Sequence, residues 1–307
     1  MNQAEEFIKL LIPGLKEVVK ERIAHPQLDI MRTKIFGKAS SDRAFEEYLN
    51  ISALKDAYPW TGGFRTQKQT PGYTSKVIFQ RFANQLEIDI QLIEDELYGA
   101  MMDQAEVLAD SLEQAKEKRA VNIFANAISA AFDFQESEEG LSWANAAHTT
   151  KEPDVSTASG FSNLGTSALD PVSLAAAYIS LKRFRNSIGN VIAMNDSIAL
   201  VHPITLSDTV EEIIGTDRGL FTNEGTINVH QGRYSSLPYN LLEDTTTTSW
   251  GLVKVNQMHR DLLWFDRIGD NYMVHEDRQT LGVIHNIHAR FGYLFKDWRW
   301  GFWNNVV

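Results

Sequence analysis

The sequence predicts an α+β fold, and three observations carry that reading. Apolar residues at helical spacing run from about Ile93 to Phe132, strict apolar–polar alternation fills Leu86–Leu92, and a second alternating stretch runs from Leu281 to Phe295. With 307 residues, 43% of them hydrophobic and 22% charged, the chain is long enough for one large domain or two intimate ones around a buried core.

Taken in order, residues 1 to about 25 place Phe7, Leu10, Leu11, Leu15 and Val18 at three- and four-residue spacing. Pro13-Gly14 interrupts this pattern, which predicts two short helical pieces or one kinked piece. From His25-Pro26 to about Leu54 apolar residues are sparse and irregular, as in an arm held by contact with something else. Pro71-Gly72 suits a type II turn, and its flanks, Tyr58–Thr70 and Tyr73–Gln80, contain strand formers. Together they predict a long polar β-hairpin with Gly62-Gly63 at its base. Two strands alone are marginal in water, so this is either an ordinary surface hairpin or one that reaches another subunit.

The helical stripe includes Leu97, Met101, Leu108, Leu112, Ile123, Phe124, Ala127 and Ile128, with no proline between Pro71 and Pro153. Unbroken, some 40 residues at about 1.5 Å each give a rod of roughly 60 Å, with a possible break near Gln114–Arg119. Glu113, Lys116, Glu117, Lys118 and Arg119 read as its wet face. Residues 140–166 are a loop by composition. Asp170-Pro171 reads as an N-cap followed by an N1 proline, opening a helix that ends near Gly189. Val191–Met194 and Ile198–Val201 look like buried strands, and a third helix runs from about Thr205 to Ile214, closed by Gly215. The remainder reads as β structure ending in the aromatics Phe295, Trp298, Trp300, Phe302 and Trp303.

Composition narrows the function. There is no cysteine, hence no disulfide, thiolate nucleophile or thiolate metal site. A net charge of −11 argues against a chain whose main task is gripping nucleic acid, although an acidic wall beside DNA would keep the polymer mobile. No apolar run approaches the roughly 18–20 residues of a membrane span, and the N-terminus has no basic cluster before an apolar stretch, so no secretory signal is expected. A cytoplasmic origin fits.

The motifs carry no enzyme. There is no Gly-x-Ser-x-Gly elbow, phosphate loop or dinucleotide fingerprint. His285 and His288, three apart in a strand pattern, point to opposite faces and lack a third metal ligand. His275-Glu276-Asp277 reads as a solvated turn. Glu94-Asp95-Glu96 suits a helix N-terminus better than acid–base catalysis. The Asn-x-Ser sequons at Asn50 and Asn195 mean little without secretion. The terminal aromatics suit a packed edge or interface better than a carbohydrate platform. No catalytic, cofactor-binding or metal-binding residue is expected.

In order, the elements resemble the major capsid proteins of tailed bacteriophages, the Hong-Kong-97-type fold, in the branch that includes Mu-like head subunits. The resemblance spans about residues 55–307. Its carriers are the junction Ile90–Tyr98, the segment Ala120–Ala127, Gly140-Leu141 with Ala147-His148, and Ser162-Asn163-Leu164. Further on come Pro171–Arg185, Ile198–Val201 and Pro203–Ile214, and then Arg290-Phe291 and Asp297-Trp298-Arg299. It implies an N-terminal arm (1–55) and an extended hairpin or E-loop (56–91). A peripheral domain with a long spine helix follows (92–148 and 256–290), and an axial domain completes the chain (149–255 and 291–307). The implied function is that of a non-enzymatic major capsid protein that self-assembles through hexamers and pentamers into the icosahedral head of a virion. Such a shell encloses double-stranded DNA without sequence-specific binding. The implied partners are other copies of the chain, a separate scaffold protein (only about 55 residues precede the hairpin), a portal and a decoration protein, with no cofactor and no membrane, and assembly in the host cytoplasm. Lys68 and Lys76 lie on the hairpin, but no acidic catalyst or partner asparagine matches the crosslinking seen in some members. The alternatives are an encapsulin-type compartment and, from a different class, a hydrolase or carbohydrate-binding protein using the terminal aromatics with His148 or His202.

Overall fold

Strand-forming and helix-forming stretches interleave along the chain, and among the described residues three β-sheets gather strands far apart in sequence. The computed structural model describes residues 3–26, 28–64, 66–88, 98–130, 135–193, 195–215, 227–277 and 282–306. It opens with helix α1 (Gln3–Ala24), the short helix α2 (Arg32–Ile35), and strands β1 (Gly37–Ala39), β2 (Phe45–Ile51), β3 (Pro71–Ile78) and β4 (Gln80–Ile88). Next come helix α3 (Tyr98–Ala120), a single helical turn α4 (Asn122–Ala125), β5 (Gln135–Ser137), β6 (Leu164–Gly165) and helix α5 (Pro171–Lys182). The rest comprises β7 (Ile198–His202), α6 (Ser207–Ile214), β8 (Tyr234–Pro238), β9 (Trp250–Lys254), α7 (Val255–Asp261), β10 (Leu262–Asp277), β11 (Gly282–Phe295) and β12 (Gly301–Asn304).

One sheet has the order β1-β10-β11-β4, a second β6-β12-β9-β7-β8, and a third β2-β3-β5. In the first, β10 and β11 pair antiparallel from Leu262↔Phe295 to Asp277↔Gly282, and β4 runs along the other edge of β11. Helix α3 lies across β4 and β11, and α1 packs beside it, touching both α3 and β10. Its buried stripe, Met101, Ala105, Leu108, Ala109 and Leu112, repeats every three to four residues, as a sheet-packed helix requires. In the second sheet all five residues of β7 and all five of β9 are buried, the run-on apolar pattern of a strand covered on both faces. Asp170 caps α5, accepting from the backbone N–H groups of Val172 and Ser173 at 2.7 Å each, and Ser173 Oγ accepts from the Asp170 N–H, completing a capping box.

The structure revises several expectations. Helix α1 is a single 22-residue element through Pro13. Proline removes one backbone donor, but Leu15 and Val19 are fully buried and that packing outweighs the loss. The arm is not irregular: Met31, Ile35 and Phe36 are buried, and β1 pairs parallel with β10. Pro71-Gly72 is not a turn. It opens β3, whose partner is β2, so residues 52–70 form the hairpin's connection. A Cβ on Gly72 would lie 2.8 Å from the Asn50 carbonyl oxygen, so glycine serves close strand approach at the register shift between Leu49 and Ile51.

Helix α3 has 23 residues, about 35 Å, instead of 40. The chain turns at Val121 so that Phe124 enters an aromatic core, while residues 93–97 and 131–134 lie outside the described residues. Glu113, Lys116 and Glu117 are buried, not wet, because the arm and β10 cover them. Helix α5 stops at Lys182 rather than near Gly189, and Val191 is exposed, not part of a buried strand. Helix α7 fell within the stretch read as β structure and loops.

Candidate assembly surface

Side chains alternate across the two strands of the β2–β3 hairpin. The inward set includes Tyr48, whose ring centroid is 6.1 Å from that of Phe265, with Val77 and Ser75 buried. The outward set includes apolar residues where solvent should favour polar ones. Phe45 faces Ile78, with Leu49 and Ile51 further along, and all four are exposed. Glu47 and Lys76 pair across the same face, and Lys76 also reaches Glu136 of β5 at 3.3 Å. Leu54, Trp60 and Phe64 extend the exposed apolar set into the connection, where Phe64 is 97% and Trp60 68% exposed and their rings meet edge-on at 5.2 Å. Gly62 sits between them at φ +95°, a conformation L side chains rarely adopt.

The root of the hairpin is fixed within the chain. Ser52 N–H donates to the Thr70 carbonyl (3.2 Å), Ala53 N–H to Ser187 Oγ (2.9 Å), and Tyr73 Oη lies 2.7 Å from Thr149 Oγ1. Thr74 N–H donates to Glu138 at 2.9 Å. Lys151 first, and that N–H second, hold the Glu138 carboxyl below the usual carboxylate range.

The N-terminal arm is fixed by charge. Arg32 meets Glu113 (3.1 Å) and donates its backbone N–H to Glu117 (3.2 Å), while Lys116 bridges Glu113 (2.6 Å) and Asp270 of β10 (2.5 Å). Three carboxylates thus face two cations away from water. Burial pushes the Glu117 and Asp270 carboxyls up, and Glu113, raised by the same burial, is brought below its ordinary value by Lys116 and Arg32. Arg22 clamps α1 to α3 through Asp110 at 2.8 Å.

The residues considered for chemistry do not converge. His285 is fully buried and hydrogen-bonded to the Tyr272 hydroxyl, and burial pushes its imidazole down to about 4. His288 lies 3.5 Å from Asn271 instead. No group of three or more potential metal ligands occurs among the described residues. His275 belongs to β10 rather than to a turn, and Glu94–Glu96 lie outside the described residues. His148 stacks on Trp298 (centroids 4.2 Å, 4° between planes) with Glu139 at 3.3 Å, and His202 bonds the Pro203 carbonyl (2.8 Å) and Ser236 (2.9 Å). His148 fastens the loop that carries it, and His202 ties β7 to β8. The five terminal aromatics are buried, so neither a carbohydrate platform nor an exposed edge is present there. Sequence reasoning missed the outward stripe of β2. Its signal was the even spacing of Phe45, Leu49 and Ile51, which puts them on one side of a strand.

Among the described residues no helix is long and apolar enough to cross a membrane. No protein-family model matches the chain, and no curated protein matches its sequence. Solved structures do. The capsid of a native GTA particle is 11% identical, with a TM-score of 0.57 over 92% of each chain. The capsid of bacteriophage JBD30 is 12% identical, with a TM-score of 0.53 over 71% of this chain and 93% of that one. A virus-like particle from Pyrococcus furiosus is 8% identical, with a TM-score of 0.50 over 95% of this chain and 98% of that one. At such identities the likeness lies in the fold, and that fold is the one of phage capsid shell proteins.

Proposed function

We propose that this chain is the major capsid protein of a tailed phage, assembling through hexamers and pentamers into an icosahedral head around double-stranded DNA. The observation that carries the reading is the match to a capsid subunit over 92% of both chains. In this reading the β2–β3 hairpin with its 52–70 connection is the E-loop and α3 the spine helix. The sheet β1-β10-β11-β4 with α3 is the peripheral domain, and the sheet β6-β12-β9-β7-β8 with α5 and α6 is the axial domain. Phe291–Phe295 then belong to the peripheral sheet rather than the axial one, because β11 continues to Phe295. The mechanism is self-association between unlike surfaces, which closes into rings. An exposed apolar hairpin face that continues into two exposed aromatic rings is the kind of surface that marks a protein interface. No residue acts catalytically, and the charge of −11 suits a wall around DNA better than a DNA clamp. A separate scaffold protein, a portal and a decoration protein complete the set of partners, with assembly in the host cytoplasm.

Negative-stain microscopy of the purified chain tests this reading. Rings or closed shells are expected, and a monodisperse monomer at high concentration with no particles would overturn it. A second reading, an encapsulin-type compartment, is favoured by the match to 98% of the virus-like particle subunit. Particles produced in a phage-free host that hold a protein cargo would select it.

A further inference from the structure

A groove of about 390 Å³ opens between residues 50–53, the 186–193 loop, α7 and the Asp297–Arg299 turn. Several of its polar side chains have spent their acceptors on the fold and kept donors. Ser187 Oγ accepts from the Ala53 N–H (2.9 Å), which leaves its hydroxyl proton to give. Asn186 Oδ1 accepts from the N–H groups of Ile188 (3.2 Å) and Asn190 (2.9 Å), which leaves its amide nitrogen. Arg260 turns Nε and Nη2 to Asp261 (3.0 and 3.2 Å) and keeps Nη1, on a side chain that is 59% exposed. Arg299 is the fixed point: it is 7% exposed, and its guanidinium lies over the rings of Trp298 (4.4 Å) and Phe161 (5.4 Å). Its Nε donates to the Arg185 carbonyl (2.6 Å) and its Nη1 to Asp297 (2.8 Å). Its Nη2 has no hydrogen-bond partner among the described residues, yet it is not one of the polar atoms sealed from solvent.

Charge points the same way. Asp297 is the one carboxylate on the wall among the described residues, and Arg299 already engages it through Nη1 and its backbone N–H (3.2 Å). Behind the wall Lys254 is 2% exposed with no carboxylate in salt-bridge reach among the described residues. Burial, and then Lys182, push its ammonium down to about 8. Donors in excess, two of them arginine N–H groups, call for an oxyanion, and a phosphate offers several acceptor oxygens on one centre. Ile51 and Val191, 59% and 53% exposed, add an apolar wall that suits the face of a base. We propose that this groove binds a phosphate group, free or carried by a nucleotide, with Arg299 Nη2 and Arg260 Nη1 as its main donors and Ser187 and Asn186 beside them. The site lies within one chain and needs no assembly, so it stands or falls apart from the shell reading.

Inorganic phosphate titrated into the purified chain at constant ionic strength, followed by phosphorus NMR line width and by melting temperature, tests the site. Saturable binding is expected, with acetate giving no stabilisation. Arg260→Gln alters an exposed side chain and should weaken phosphate binding at least several-fold with circular dichroism unchanged. Arg43→Gln makes the same change of charge at a side chain that is 80% exposed and outside the groove's lining, and should leave binding as it was. Arg299→Lys keeps the charge but loses Nη2, and should also weaken binding several-fold. A nucleoside monophosphate or a short single-stranded DNA that displaces phosphate at lower concentration would name a nucleotide as the source. Displacement only at matching phosphate concentration would name free phosphate. Stabilisation by acetate equal to that by phosphate would overturn the proposal, as would phosphate binding that Arg260→Gln leaves intact or that Arg43→Gln weakens equally.

Discussion

Two aromatic clusters in this chain use the same residue types to opposite ends. Around the C-terminal strand β12, Trp143 and Trp300 stack at 4.2 Å with 5° between their planes, Phe124 meets Trp143 edge-on and Trp303 face-on, and all four rings are at most 1% exposed. At the hairpin, Trp60 and Phe64 meet edge to face and stand in solvent. What differs is the company. The terminal cluster draws rings from residues 124, 143, 300 and 303, brought together by a helical turn, a loop, a turn and strand β12, whereas the hairpin pair lies four residues apart in one loop. Buried aromatic area stabilises a fold when distant segments share it. Left on a loop, the same area is available to another molecule.

The largest effect should come from breaking the core cluster. Trp300→Ala is expected to destabilise the chain by about 3–5 kcal/mol, read as a loss of melting temperature and of near-ultraviolet circular dichroism. Trp300→Phe should cost far less, because the buried indole N–H it removes has no partner. Equal losses for the two variants would mean that the N–H has a hidden role and that shape alone does not hold the cluster.

Acid offers a second contrast. His285 is buried with its imidazole pushed down to about 4 from 6.5, so the unfolded chain takes up its proton first as pH falls. Stability should therefore be lost between about pH 6.5 and 4, on the order of 3 kcal/mol from this group. His285→Asn should flatten that slope in urea titrations at several pH values. An unchanged slope in the variant would place the acid sensitivity elsewhere.

A smaller effect is expected at the cap of α5. Asp170→Ala removes two 2.7 Å hydrogen bonds and should cost about 1 kcal/mol, while Asp170→Asn should recover most of it. At the bottom of the scale, Trp60→Ala should change the melting temperature of the unassembled chain by an amount worth less than about 0.5 kcal/mol, as for an ordinary surface substitution. A large loss would show that the hairpin aromatics belong to the fold and would erase the contrast between the clusters.

How much of this was legible in the sequence depended on whether an element's partner lay nearby in the chain. The cap at Asp170-Pro171, the end of α6 at Gly215 and the alternation of β11 are local signals, and all three were read correctly. The long-range features were not. Glu113, Lys116 and Glu117 have the helical spacing of a wet face, and only the arrival of Arg32 and Asp270, 81 and 154 residues away from their partners, turns that face into a buried network. Pro71-Gly72 has a turn's composition, but the glycine is demanded by the Asn50 carbonyl across the hairpin. For the same reason the hairpin was expected with its tip at Pro71-Gly72, although its connection is residues 52–70, and the outward stripe of Phe45, Leu49 and Ile51 was hidden in what read as an irregular arm. The aromatic run at the C-terminus pointed to an edge or interface. It is core, because Phe124 and Trp143 arrive from far upstream to cover it.

The most direct test of the central claim separates folding from assembly at the hairpin. Lys55 and Gln67 are joined by reciprocal hydrogen bonds of 2.9 and 3.2 Å, so residues 56–66 can be replaced by Asn-Gly without disturbing the root. Sedimentation velocity of the two chains at equal concentration, alongside circular dichroism, gives the answer. The account predicts that the native chain sediments as rings or shells, while the shortened chain sediments as a folded monomer or small oligomer with an unchanged spectrum. A shortened chain that sediments as the same large particles, with equal stability on dilution, would contradict the account.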